Sequence, residues 1–314
     1  MLPWITLALA AQFINAIVAV LDKYIVTHQR VMPRPFVYAF YTSLFSGLWV
    51  VIFLGGFIPF EFIQRLGIPS LENVVFPTLL VTVLALLSGY TFFAALVSLY
   101  SALRESDTSD VIPVVGAVSA IVSFFLSYLF LGTRLTPNFV LGIFLLSLGT
   151  ALVSHLRFSW KTALMVVHSG IFFAAHYVVI KDLFDISGTF DNGFFWSRIA
   201  LVVAALSMLL VPGYFTKIHV QTKATTRRSG LLVVGNKVLA GIGSILILKA
   251  TALGNVSVVQ ALGGLQFVFI LAFSIFFGHK APLECGEKVS CRRDMYHKIA
   301  FVSIIVAGFF MLFI

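Results

Sequence analysis

Lys237 follows Asn236 inside Gly230 to Leu248, a run otherwise free of charge. Ionisable groups at membrane depth are costly and mark function by default. An ammonium there must face a cavity, a partner or a substrate. All twelve Asp and Glu residues read as loop or block-end residues, so nothing acidic is expected at the depth of Lys237 to neutralise it. That predicts recognition of an anionic or zwitterionic substrate, an amino acid or organic acid, whose negative group meets Lys237 with Asn236 assisting. The structural alternative is a lysine that snorkels to one surface or bonds backbone carbonyls. The same reading leaves no carboxylate for a mid-membrane proton relay.

Other polar residues inside apolar runs are candidates of a second kind. His176 and, two turns earlier on roughly the same face, His168 are side chains that titrate nearest neutrality; the alternative is a packed histidine bonded to a neighbouring helix. Gln12, Asn15, Gln260 and Gln266 suit hydrogen bonding to a substrate, or equally to adjacent helices. Tyr90, Tyr177 and Trp196 are candidates to line a pathway, although aromatics near block ends commonly form interfacial belts, which also fits Trp4 and Trp160. Lys23 and Lys181 read as gating residues or interface anchors. Ser119, Ser123 and Ser127 form a small-residue stripe suited to close helix packing, within one bundle or at a homodimer contact. Cys285 and Cys291 share a loop with His279 and His297 at six-residue spacings, wider than paired zinc ligands usually take, so no metal or other cofactor is expected. No Walker-type nucleotide loop occurs. Gly241-Ile242-Gly243-Ser244 is a weak echo of an intramembrane serine-protease motif, with no paired carboxylate or polar nucleophile beside it, so an enzyme is not expected.

The elements that must position these residues are legible from composition. Of 314 residues, 60% are hydrophobic and 11% charged, with a mean hydropathy of +1.04. Soluble domains run at roughly 45–50% and about 25%. The apolar residues come in blocks near the ~20 residues a bilayer-crossing helix needs. The blocks predict spans at Leu2 to Leu21, Phe36 to Pro59, Val74 to Tyr100, Val111 to Leu131, Phe139 to Leu156, Thr162 to Ile180, Phe194 to Phe215, Gly230 to Leu248, Val256 to Gly278, and Ile299 to Ile314. The first block has neither a basic lead nor a cleavage site and reads as a span. Continuous rather than alternating apolarity argues against a β-barrel. The longest hydrophilic stretches, Thr216 to Ser229 and His279 to Lys298, are too short to bury a core. The expected fold is therefore all-α and integral to the lipid bilayer, with about ten transmembrane helices. The net charge of +9 sits mostly between blocks. It reads as topology rather than nucleic-acid binding: fifteen basic residues fall in odd-numbered connections and five in even-numbered ones, which predicts both termini outside a cell membrane.

Ten spans divide into halves of five, 1–158 and 159–314, that echo each other. Lys23 closes the first span and Lys181 the sixth. Ala102-Leu103 ends the third, and Ala252-Leu253 follows the eighth. Phe130-Leu131-Gly132 ends the fourth, and Phe276-Phe277-Gly278 the ninth. Gly149 and Gly308 lie late in the fifth and tenth. An odd number of spans per half makes the repeat inverted, a device of transporters that place a small-molecule substrate between halves near the midplane. With Tyr100-Ser101-Ala102-Leu103, Leu131-Gly132-Thr133-Arg134-Leu135-Thr136, and Ala252-Leu253-Gly254-Asn255-Val256-Ser257-Val258-Val259-Gln260-Ala261-Leu262, the chain resembles EamA-like members of the drug/metabolite transporter superfamily. The resemblance implies two inverted five-helix repeats that move metabolites by alternating access. Thr133 and His279 stand where the family often has Glu, Phe267 stands where a proline is common, and the family usually keeps both termini in the cytoplasm.

Overall fold

The structure, a computed structural model, describes residues 3–29, 31–57, 69–153, 159–277 and 292–311. Its described residues form helices and connections, with no strands among them. In chain order they are α1 (Pro3–Thr27), α2 (Pro35–Leu48, continued as a 3₁₀ segment Trp49–Phe57), α3 (Leu79–Glu105), α4 (Thr108–Phe130), α5 (Pro137–Val153), α6 (Trp160–Ser187), α7 (Phe190–Ser207, continued to Leu210), α8 (Pro212–Ala224), α9 (Arg227–Leu253), α10 (Val256–Ala261), α11 (Gly264–Phe277) and α12 (Arg292–Met311). Eight helical stretches among the described residues are long and apolar enough to cross a membrane, and Pro137–Leu152 is a shorter apolar helix. This is a multi-pass, all-helical membrane architecture.

Local chemistry sets the boundaries. Side-chain oxygens of Thr78, Ser159, Thr189, Thr226 and Asn255 cap the starts of α3, α6, α7, α9 and α10 by accepting from backbone N–H groups. Pro35 and Pro212 occupy first-turn positions, where no intrahelical donor is missed. Gly188, at φ +75°, terminates α6 in the left-handed conformation.

Several expected boundaries move. The first helix does not stop at Leu21 but runs to Thr27, so Asp22 and Lys23 lie inside it. The seventh starts at Phe190 rather than Phe194. Most of the hydrophilic stretch from Thr216 is helix α8 rather than loop. The block from Val256 is split, with Leu262-Gly263 between α10 and α11. Pro59, Leu156, Gly278, Ile314 and the Cys285–Cys291 loop lie outside the described residues.

Cross-helix contacts sort the helix ends into two groups. In one, Lys23 reaches Ser106, Lys161 pairs with Glu105, Arg34 meets Lys217, and Thr225 meets Val31. In the other, Ser70 and Asn73 bind Asp191, and Lys181 reaches Ala252. Between these groups α3 lies along α6, α1 along α9, and α5 along α12. The last crossing is close. A Cβ at Gly149 would press on Ile305, and one at Gly308 on the backbone of Leu146.

Candidate functional site

The charged centre lies between α1 and α9. Asp22 Oδ1 accepts from Tyr38 Oη at 2.5 Å, Asn236 Nδ2 at 2.7 Å and Lys237 Nζ at 2.8 Å. Lys237 Nζ also donates to Tyr100 Oη at 3.2 Å and lies 4.2 Å from the centroid of the Tyr38 ring. Thr42 Oγ1 is 3.1 Å from Tyr100 Oη, which adds a second α2 residue beside Tyr38 to the network. Asp22, Asn236 and Lys237 are all buried. Asn236 Oδ1 has no hydrogen-bond partner among the described residues.

This corrects the expectation that Lys237 lacks a carboxylate. Sequence alone places Asp22 at a block end because the apolar run pauses there. Yet Tyr24-Ile25-Val26 resumes it, and the helix carries the carboxylate inward. Lys237 starts about three turns into α9, and its long side chain spans the remaining offset. A buried carboxylate therefore does exist, contrary to the sequence reading. Lys237 is also not the sole deeply placed charge.

Arg198 is the functional candidate that sequence reasoning missed. It is one of the five basic residues that the block reading assigns to even-numbered connections and span ends, but α7 begins at Phe190, four residues before the expected Phe194, and Arg198 is buried to 2% exposure. The Thr189 cap followed by Asp191 in the first turn was the available signal. Its guanidinium donates from Nη1 to the Ser46 carbonyl at 3.3 Å and from Nε to Ser197 Oγ at 3.4 Å, and lies 4.9 Å from the Phe194 centroid. Among the described residues no carboxylate lies within ion-pair distance of it.

Beside Asp22 and Lys237 is a cavity of about 200 Å³, whose lining includes Gln12, Asn15 and Asp22 from α1, Thr42 and Ser46 from α2, Tyr100 from α3, Ser119 from α4, Tyr177 from α6, Lys237 and Ser244 from α9, Gln260 from α10, Gly263, and Gln266 from α11, and does not include Arg198. Ser119 Oγ donates to Gln260 Oε1 at 3.1 Å, and Gln266 Nε2 donates to the Asn15 carbonyl at 3.0 Å. The side-chain amide of Gln12, 5% exposed, makes no hydrogen bond among the described residues, nor does the Tyr177 hydroxyl. The break between α10 and α11 borders the same space. Non-helical backbone at membrane depth is tolerated where it lines a cavity.

The remaining candidates are placed elsewhere. His176 is buried with Nδ1 at 3.0 Å from Ser88 Oγ and 2.9 Å from the Ser88 carbonyl, the packed arrangement. His168 meets Ser98 Oγ at 2.7 Å. Tyr90 is 41% exposed, bonds Ser207 and is not in the cavity lining. Lys23 donates to the carbonyls of Leu103 and Ser106 at 2.7 and 2.8 Å, and Lys181 to that of Ala252 at 2.9 Å. Both are therefore bound to helix ends within the bundle. Trp4 is buried against Gly254 instead of joining a belt, whereas Trp160 is 78% exposed. Trp196 donates to the Val75 carbonyl. The serine stripe faces inward, with Ser127 against Ser257.

No family model matches the sequence, and no curated protein matches it either. A solved structure, described only as "Crystal structure of protein", is similar with a TM-score of 0.61 at 15% identity, covering 96% of this chain and 92% of that one. At that identity the likeness speaks for the fold alone, and it does so over nearly the whole chain.

Proposed function

We propose that the chain is a secondary transporter of the EamA-like kind, with ten spans arranged as inverted repeats 1–158 and 159–314. It moves a small anionic or zwitterionic metabolite through the cavity between them. The observation that carries this reading is the cavity lined by Gln12, Asn15, Gln260 and Gln266, in which the Gln12 side chain makes no hydrogen bond among the described residues. An amide that faces a cavity without a protein partner is available to bond a polar solute there. The broken α10–α11 passage beside the cavity fits a transport site built on a discontinuous helix. Lys23 and Lys181, at equivalent places in the two halves, bind the ends of α3 and α9, also at equivalent places. Those paired contacts support the repeat.

The preference for a negative group rests on charge balance: Arg198 does not itself line the cavity, but it bonds the carbonyl of cavity-lining Ser46 and is the buried cation in excess. The buried charges among the described residues are Asp22, Lys237 and Arg198, and one carboxylate leaves one cation unanswered. A guanidinium is a planar fork suited to a carboxylate. Proteoliposomes holding the purified chain should take up at least one member of a panel of amino acids, organic acids and organic cations. Gln12→Leu should abolish that flux without loss of folded protein. Flux no greater than in empty vesicles across the panel, or flux untouched by Gln12→Leu, would remove the proposal; flux confined to cations would remove the charge assignment.

A further inference from the structure

Helix α8 has no counterpart among the spans. It buries only Ile218 and Gln221 of its 13 residues. It is held against α2 by Tyr41 Oη to Thr222 Oγ1 at 2.6 Å, by the Phe36–Tyr214 ring pair at 4.4 Å, and by Arg34 Nη1 to the Lys217 carbonyl at 3.3 Å. These contacts fix it at one end of the bundle. Phe215 and Val220 are 49% and 47% exposed on it. Lys217, Lys223, Arg227 and Arg228 are exposed on α8 and the first turn of α9, and the exposed Arg34 joins them through Lys217. No Asp or Glu lies between Asp191 and Glu284 in the sequence, and none of these five cations has an ion-pair partner among the described residues. Glu105, at the same end, is engaged by Lys161 and Thr162.

We propose that α8 and the start of α9 form a binding surface for anionic phospholipid headgroups. Exposed lysines on a short helix at the ends of the spans, with arginines beside them, suit attraction to anionic headgroups, each basic residue near the surface contributing about 1 kcal/mol. The position of α8 at the ends of the spanning helices sets it at headgroup level. Five exposed cations without an ion-pair partner among the described residues leave positive charge that lipid phosphates can answer. The surface is independent of the transport proposal, since none of its residues lines the central cavity.

The test uses the full chain, delipidated in mild detergent, and reads bound lipid by native mass spectrometry. Phosphatidylglycerol should be retained in preference to phosphatidylcholine, with the preference falling as salt rises. A variant carrying K217Q, K223Q, R227Q and R228Q should lose it, at about fivefold in relative affinity per basic residue removed. Those side chains are exposed, so the variant is expected to fold, and thermal unfolding matching the parent's is the control. If unfolding shows damage, the comparison moves to K217Q with K223Q alone. Equal retention of the two lipids by the parent, or undiminished preference in a folded variant, overturns the proposal. Displacement of the lipid by millimolar inorganic phosphate also overturns it, in favour of a free-anion site.

Discussion

Lys237 and Arg198 are both cations buried to within 3% of full occlusion on helices of the second half of the chain, and the fold treats them in opposite ways. Around Lys237 it assembles a carboxylate, two phenols and an amide, with Asp22 Oδ1 alone accepting three bonds. Around Arg198 it supplies one carbonyl, one hydroxyl and a ring face. A buried ion pair is costly to break because the surviving charge is stranded. A buried cation with no carboxylate has nothing to strand. The first arrangement ties helices together through opposite charges; the second gives the cation only neutral partners among the described residues.

The largest effect should come from breaking the pair. Asp22→Asn leaves Lys237 without its counter-charge and should destabilise the protein by about 3–5 kcal/mol, read as a fall in the thermal unfolding midpoint in detergent. Lys237→Met should cost a similar amount by stranding Asp22. The double variant should recover much of the loss, because both charges leave together. Additive losses in the double variant would show that the two residues act separately and would end the contrast with Arg198.

Arg198→Met is expected to cost less, about 2–3 kcal/mol, since it deletes the bonds to the Ser46 carbonyl and the Ser197 hydroxyl and a ring contact but strands no opposite charge. Under the proposed function it should nevertheless abolish uptake of anionic or zwitterionic solutes. Arg198→Lys should restore part of it, a point charge without the fork. A strongly unfolded Arg198→Met, in contrast, would place Arg198 with Lys237 among charges that the fold needs.

The sequence showed the membrane class and the cavity's neutral polar residues more clearly than its charges. Apolar block length is a long-range average, and it survives errors of several residues at each boundary. Gln12, Asn15, Gln260 and Gln266 stand alone within such blocks, and the structure places all four on one cavity. Asp22 and Arg198 failed for one physical reason. Each lies where hydropathy dips near a block end, yet capping and resumed apolarity carry the helix past the dip. A window that reads charge as a boundary then puts a buried group in a loop. Tyr38 and Tyr100, which complete the ion-pair network, carried no signal, because an aromatic in an apolar run looks like packing until a second helix brings a charge to its hydroxyl.

The smallest expected effects separate two lysines that sequence reading treated alike. The last carbonyls of a helix have no intrahelical donors and bear the negative end of its dipole. Lys23 satisfies two of them at the end of α3, whereas Lys181 satisfies one near the end of α9 and divides its charge with Asp185 at 3.0 Å, a side chain 52% exposed. A hydrogen bond from a charged donor contributes about 1.5–3 kcal/mol, and an exposed ion pair about 0–1 kcal/mol. Lys23→Met should therefore destabilise by about 2 kcal/mol or more, and Lys181→Met by less, with Asp185→Ala close to neutral. Unlike Asp22→Asn, neither lysine variant strands a buried charge, so both should fall short of the loss at the ion pair. Thermal unfolding of the three single variants beside Asp22→Asn tests the order. If Lys181→Met equals or exceeds Lys23→Met, capping of helix ends does not set the contribution of these lysines. If Lys23→Met matches Asp22→Asn, occlusion of the charge is not what distinguishes the buried pair from the rest of the bundle.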